Sequence, residues 1–200
     1  MSTTDEAPAV ATAGTGIADP APLGLAAFAL TTFLLGATSA GWANNSSGFS
    51  WLGYAFAYGG LVQLLAGMWE FRNRNVFGST AFSTYGGFWI GLGLWAVLVH
   101  APATDKDLGW IFLAFFIFNS YMLVISTQVN MAVFAVFLTL ELTEFFVFIG
   151  NFAGSSGIGK FAGYIAIITA LTAWYASAAG VINGMKGRMV LPVGGPLFNM

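Results

Sequence analysis

The sequence predicts an all-α membrane protein whose six transmembrane helices pack into one bundle, and three observations predict it. Of the 200 residues, 58% are hydrophobic and only 7% charged, with a mean hydropathy of +0.79, whereas an ordinary soluble domain is roughly one-quarter charged. Six segments stay apolar over about 20 residues, the length that crosses a ~30 Å hydrocarbon core at about 1.5 Å per residue. The connections between them are short and rich in turn residues, so neighbouring helices must run antiparallel.

Taken in order, residues 1–18 are rich in Ala, Thr and Gly and carry Asp5 and Glu6 without a basic residue. They read as a disordered tail, not as a signal peptide, which opens on a basic stretch. The six-span domain covers 19–185. Its first span, Pro22 to Gly41, follows Asp19-Pro20-Ala21-Pro22, an N-cap with prolines that a first helical turn tolerates. The second runs from Phe49 to Phe71, the third from Thr80 to Val99 and the fourth from Leu108 to Thr127. The fifth runs from Asn130 to Ile149 and the sixth from Gly159 to Asn183, before a short C-terminal tail, 186–200. Turn residues separate them at Asn44-Asn45-Ser46-Ser47-Gly48, Arg72-Asn73-Arg74-Asn75 and Gly154-Ser155-Ser156-Gly157.

An even number of spans places both termini on one side together with Arg72, Arg74, Lys186 and Arg188, while Lys106 and Lys160 lie on the other. The positive-inside rule then puts both termini in the cytoplasm. Trp42, Trp51, Trp69 and Trp110 fall near span ends, where an indole suits the headgroup zone. Small-residue pairs at Gly87/Gly91, Gly159/Gly163 and Gly180/Gly184 allow close helix contact within or between subunits. Phe82, Tyr85 and Trp95 recur as Phe161, Tyr164 and Trp174, each displaced by 79 residues. Two inverted three-span halves with a midplane solute site would leave such a pattern.

Composition also excludes classes of function. A net charge of -2 with scattered Lys and Arg leaves no face for nucleic acid. With no cysteine there is no disulfide, iron-sulfur or thiolate metal site. The single histidine, His100, cannot form a bis-histidine haem and reads as interfacial. No metal cluster, phosphate loop or nucleophile-base pair points to catalysis or a cofactor, so the chain reads as no enzyme.

Polar residues inside the spans are the candidates for function, because each must face protein or water. Glu141 and Glu144 lie on one face of the fifth span, flanked by Thr143, with Thr139 continuing the same side. Two carboxylates that close favour holding one proton, which suits a proton relay; alternatively they end a helix near the interface and are solvated. Glu70, beside Arg72 and Arg74, reads as a solvated interfacial charge. Gln63 needs a partner inside its span, either a helix-helix bond or a solute in a pore. Thr31 and Thr32 can bond their own helix carbonyls or line a path. No Lys or Arg lies mid-span. A carboxylate must therefore be received by hydroxyls, amides and helix N-termini, or cross with a proton as the neutral acid.

One resemblance extends this reading. Asp19-Pro20-Ala21-Pro22-Leu23-Gly24-Leu25, running into Phe28 and Thr31-Thr32, resembles the signature of the acetate uptake transporter family. The likeness continues through Gly59-Gly60-Leu61-Val62-Gln63-Leu64-Leu65-Ala66-Gly67-Met68-Trp69-Glu70 and Phe77-Gly78-Ser79-Thr80-Ala81-Phe82-Ser83-Thr84-Tyr85-Gly86. It ends with Ile149-Gly150-Asn151-Phe152-Ala153-Gly154 and Val190-Leu191-Pro192-Val193-Gly194, so it spans residues 19–194 in order.

The resemblance implies a homohexamer with a narrow central pore in each subunit, in the cytoplasmic (inner) membrane. It implies uptake of acetate, and in some members succinate, with protons. Carried over by motif, the pore constriction falls on Phe28, Tyr85 and Leu140; the substrate path is expected at Asp19, Thr31, Thr32, Gln63 and Asn151. A ring of Phe, Leu and Tyr blocks hydrated ions by dewetting, and the phenol can bond a carboxyl group. Two positions depart from the family pattern: Asp19 stands where it has Asn, and Glu141 and Glu144 are not expected in its bacterial permeases. Two other classes stay open: a pore for urea or small amides, and a non-transporting membrane scaffold.

Overall fold

The computed structural model describes residues 16–43, 50–98 and 105–198. The tail before residue 16, the Asn44–Gly48 turn and His100 lie outside them. The described residues are all helical apart from turns, the residues 16–20 that lead into the first helix and a C-terminal segment. The elements are α1 (Ala21–Ser39), α2 (Leu52–Phe56), α3 (Gln63–Arg72), α4 (Val76–Leu98), α5 (Asp105–Ser126), α6 (Met131–Ala153) and α7 (Ser156–Lys186). Five of them, α1, α4, α5, α6 and α7, are long and apolar enough to cross a membrane.

The second crossing departs from the single regular helix that the sequence predicts. A π-helical stretch, Ala57–Val62, joins α2 to α3. Its wider turn carries Gly59 and Gly60, and both are required there. A Cβ on Gly59 would stand 2.6 Å from Thr31 Oγ1 on α1, and one on Gly60 would collide with the Ala55 carbonyl oxygen. Such bulges mark close helix contact and are frequent at functional sites.

Helix ends follow local chemistry. Asp19 Oδ1 accepts from Ala21 N at 3.0 Å, ahead of the prolines in the first turn of α1. The turn between α3 and α4 is closed by Arg74 at φ 60° and by Asn75 Oδ1, which accepts from Gly78 N at 3.0 Å. Asn130 caps α6 by accepting from Val133 N at 2.9 Å. That helix runs to Ala153, four residues beyond the Ile149 expected, and is capped by left-handed Gly154. The 31 residues of α7 extend about 46 Å at helical rise, well past a ~30 Å core.

In space the bundle runs from α4 to the α2–α3 crossing, then to α1, α7, α6 and α5. The circle closes between α4 and α5 through rings: Tyr85 meets Phe115 and Phe118, and Phe88 meets Phe112 and Phe115, with centroids 4.6 to 6.0 Å apart. Beyond α7 the C-terminal segment folds back onto the bundle. Asn183 Oδ1 accepts from Val190 N and Leu191 N, Tyr175 donates to the Pro192 carbonyl, and Ala132 N donates to the Val193 carbonyl.

Several single-residue expectations change. Trp42, Trp69 and Trp110 are 59, 56 and 64% exposed, as headgroup anchors would be, but Trp51 is 8% exposed and turned inward. Of the paired glycines, Gly163 packs on the backbone of Ser39 and Ala40 and Gly180 on Pro22, while Gly87, Gly91, Gly159 and Gly184 face open space. α4 and α7 run in opposite directions, yet Phe82 and Tyr85 are buried where Phe161 and Tyr164 are exposed, so the shared spacing does not place equivalent residues in equivalent surroundings.

Candidate functional site

A cavity of about 660 Å³ enters the bundle from the end where α1, α4 and α6 finish and α5 and α7 begin. Its mouth is formed by Thr38, Ser39, Asp105, Gly154, Ser155 and Lys160. On α1, α4 and α6 the deepest lining residues are Phe28, Tyr85 and Leu140, each near mid-helix. These three side chains are 5, 3 and 6% exposed. Phe28 and Tyr85 meet edge to face at 5.8 Å, with Phe88 packing on Tyr85 at 6.2 Å. The three residues expected to form a constriction therefore form the floor of one blind cavity.

The remaining candidates divide. Thr32, Asn151 and Glu144 line this cavity; Asp19, Thr31, Gln63 and Glu141 do not. Asp19 stays at the opposite end as a helix-start acceptor. Thr31 donates to its own helix at Ala27 O, 3.0 Å away, and packs beneath the π-turn. Gln63 is 1% exposed, and its Oε1 has no partner. Glu70 corrects the sequence reading: it is fully buried, not solvated, with Oε2 accepting from Asn73 Nδ2 at 3.0 Å. The carboxylate lies against Gly78 at the start of α4, while Arg72 and Arg74 are exposed.

Glu144 is 2% exposed and lies well inside α6, which rules out the solvated helix end. It does not touch Glu141 directly; the two are bridged. Tyr85 Oη lies 3.2 Å from Glu144 Oε1 and 3.0 Å from Asn119 Oδ1. Asn119 Nδ2 donates to Glu141 Oε2 at 2.6 Å and to the Phe137 carbonyl at 3.0 Å. Ser120 Oγ lies 2.6 Å from Glu141 Oε1. One hydrogen-bonded chain thus runs from the cavity floor through α4 and α5 to half-buried Glu141.

Asn119, fully buried on α5, and Trp51 and Trp89, both lining the cavity, belong to this site and escaped the sequence reading. An amide alone in an apolar span was the available signal for Asn119, the same signal that singled out Gln63. Three residues that line the cavity carry a fully buried side-chain atom with no partner: Thr32 Oγ1, Trp89 Nε1 and Glu144 Oε2. Buried polar groups are otherwise almost always bonded, so these three stand out beside the cavity.

Comparison with known proteins adds the lineage. The chain matches the GPR1/FUN34/yaaH family over residues 4–195. It belongs to that family. Among similar proteins, Acetate permease A of Emericella nidulans is 36% identical over 195 residues, covering 88% of this chain and 65% of the permease. The succinate-acetate/proton symporter SatP of Escherichia coli K12 is 35% identical over 188 residues, 90% of this chain and 97% of SatP. The solved structure of the bacterial acetate channel SatP superposes with a TM-score of 0.84 at 33% identity, covering 90% of this chain and all of that one. The chain spans 61 to 65% of the length of the first fungal relatives it matches.

Proposed function

We propose that this member of the GPR1/FUN34/yaaH family passes acetate and similar short carboxylates across a membrane, as a channel or proton-coupled permease. The observation that carries the proposal is the blind cavity closed by Phe28, Tyr85 and Leu140. A floor of two aromatic rings and a leucine at mid-helix is dry enough to stop hydrated ions. It is also where a solute must pass if the bundle conducts at all. The names of Acetate permease A and SatP support the solute class. A scaffold needs no cavity half-way through its bundle, and a transporter does.

In this reading Thr32 and Asn151 belong to the outer half of the path, and Asp19 stands at its inner end. Glu144, linked to Glu141 through Tyr85 and Asn119, handles the accompanying proton. Both termini lie in the cytoplasm, residues 186–200 form a cytoplasmic segment, and the working unit is a homohexamer with one pore per subunit. The test is uptake of labelled solute by the purified protein in liposomes. Acetate should enter well above empty liposomes; urea uptake with no acetate uptake would replace this reading by a pore for neutral amides.

A further inference from the structure

We infer that the outer groove between α6 and α7 seats one acyl chain of an anionic phospholipid, whose headgroup Lys186 and Arg188 hold. The inference goes beyond the transport reading and does not depend on the solute. The groove has a volume of about 460 Å³ and shares no lining residue with the cavity that ends on Phe28, Tyr85 and Leu140. On α7 its wall carries Ile168, Leu171 and Tyr175, which are 51, 54 and 43% exposed, so it opens on the outside of the bundle. Ala135 of α6 faces them, and Pro192 and Val193 of the returning C-terminal segment line the end nearest the start of α6.

The chemistry of the lining selects hydrocarbon. Its two polar side chains are already engaged: Thr172 donates to the Thr169 carbonyl at 2.8 Å, and Tyr175 donates to the Pro192 carbonyl at 2.5 Å. The Val193 carbonyl accepts from Ala132 N at 2.9 Å. A carboxylate or an amide entering the groove would give up water for apolar surface and gain no side-chain partner, whereas an acyl chain loses nothing. Both helices are long and apolar enough to cross a membrane, which brings lipid tails to the opening of the groove.

The headgroup follows from the rim. Beyond Tyr175, α7 continues about 16 Å at helical rise to Lys186. Gly187, at φ 58°, then turns the chain back, and Asn183 Oδ1 pins the return by accepting from Val190 N and Leu191 N. Lys186 and Arg188 flank this turn and are exposed, just outside the end of the groove that Pro192 lines. Among the described residues neither pairs with a carboxylate. Of the acidic groups at this end, Glu70 is fully buried and Asp19 is engaged at the start of α1. Two free cations above an apolar groove complement a phosphate that carries a hydrocarbon tail, and their long stems reach along the headgroup zone. In the orientation proposed above, this rim meets the cytoplasmic leaflet, which is the anionic one.

Native mass spectrometry of the purified full chain in detergent, titrated with phosphatidylglycerol or with phosphatidylcholine of the same acyl chains, tests the seat. The wild type should retain phosphatidylglycerol more tightly, by about fivefold for one engaged cation and up to about thirtyfold for two. The double variant Lys186→Gln/Arg188→Gln should bind both lipids alike. Ala135→Trp, which fills the groove, should weaken retention of both. Should Ala135→Trp fail to fold, Leu171→Trp on the exposed wall and the double variant decide in its place. Equal retention of the two lipids by the wild type overturns the inference, and so does retention that a tryptophan in the groove leaves unchanged. A tryptophan variant that lowers the number of subunits per particle, with the lipid count per subunit kept, assigns the groove to a second copy of the chain and also overturns it.

Discussion

Replacing Tyr85 by Phe removes one oxygen and keeps the ring, so it separates the two duties of this residue. The ring lies between Phe28, Phe88, Phe115 and Phe118 at centroid distances of 5.5 to 6.2 Å, and all four contacts survive. What is lost is the oxygen that joins Asn119 to Glu144, residues that are 0 and 2% exposed. Two buried groups lose a partner at once. Hydrogen bonds between transmembrane helices average about 0.6 kcal/mol and reach about 1.7, so two give a loss of roughly 1 to 3 kcal/mol. That is about five- to 150-fold in the folding equilibrium. The assay is reversible unfolding in mixed micelles of the wild type, Tyr85→Phe, Asn119→Ala and the double variant. The single costs should fail to add, because both act on one chain of bonds. A Tyr85→Phe cost below about 0.3 kcal/mol, additive with Asn119→Ala, would refute the network.

Other substitutions probe the packing and the floor. Gly86→Ala should destabilise by about 1 to 3 kcal/mol, because its Cβ would press within 2.8 to 2.9 Å of the Leu64 backbone. Gly87→Ala, next in sequence and facing open space, should be neutral or stabilising by up to about 1 kcal/mol; equal costs in thermal unfolding would contradict the helix orientation. Leu140→Ala widens the cavity floor and should raise the ratio of succinate to acetate uptake in proteoliposomes, an outcome read directly from paired labelled substrates. An unchanged ratio in both Leu140→Ala and Phe28→Ala would show that the constriction lies elsewhere.

Much of the architecture was legible because lipid enforces simple rules. Apolar length located six crossings, and the turn residues at Asn73 and Gly154 placed their ends within a few residues. The π-turn was not legible, since Gly59-Gly60 reads equally as close packing; only Thr31 pressing on Gly59 shows why the helix widens there. Glu70 beside two arginines looked interfacial, and the chain's reversal at Arg74, which buries it, is a tertiary event.

The site divides along the same line. Motif order pointed to Phe28, Tyr85 and Leu140, which meet although they are far apart in the chain. Which of their neighbours go unbonded is harder to read. Thr31 and Thr32 are adjacent and chemically identical, yet one bonds Ala27 O while the other lies beside the cavity with its buried hydroxyl unpartnered. Periodicity cannot make that distinction.

The measurement closest to the central claim is the internal pH of acetate-exposed proteoliposomes, read with a trapped dye beside labelled acetate. The account predicts that acetate entry acidifies the interior, because the solute crosses this cavity floor with its proton. Entry should accelerate as the outside pH falls toward the carboxylic acid range of roughly 4 to 5, and Tyr85→Ala should change its selectivity. Acetate uptake indistinguishable from empty liposomes at every pH, by protein that is folded in the membrane, would contradict it.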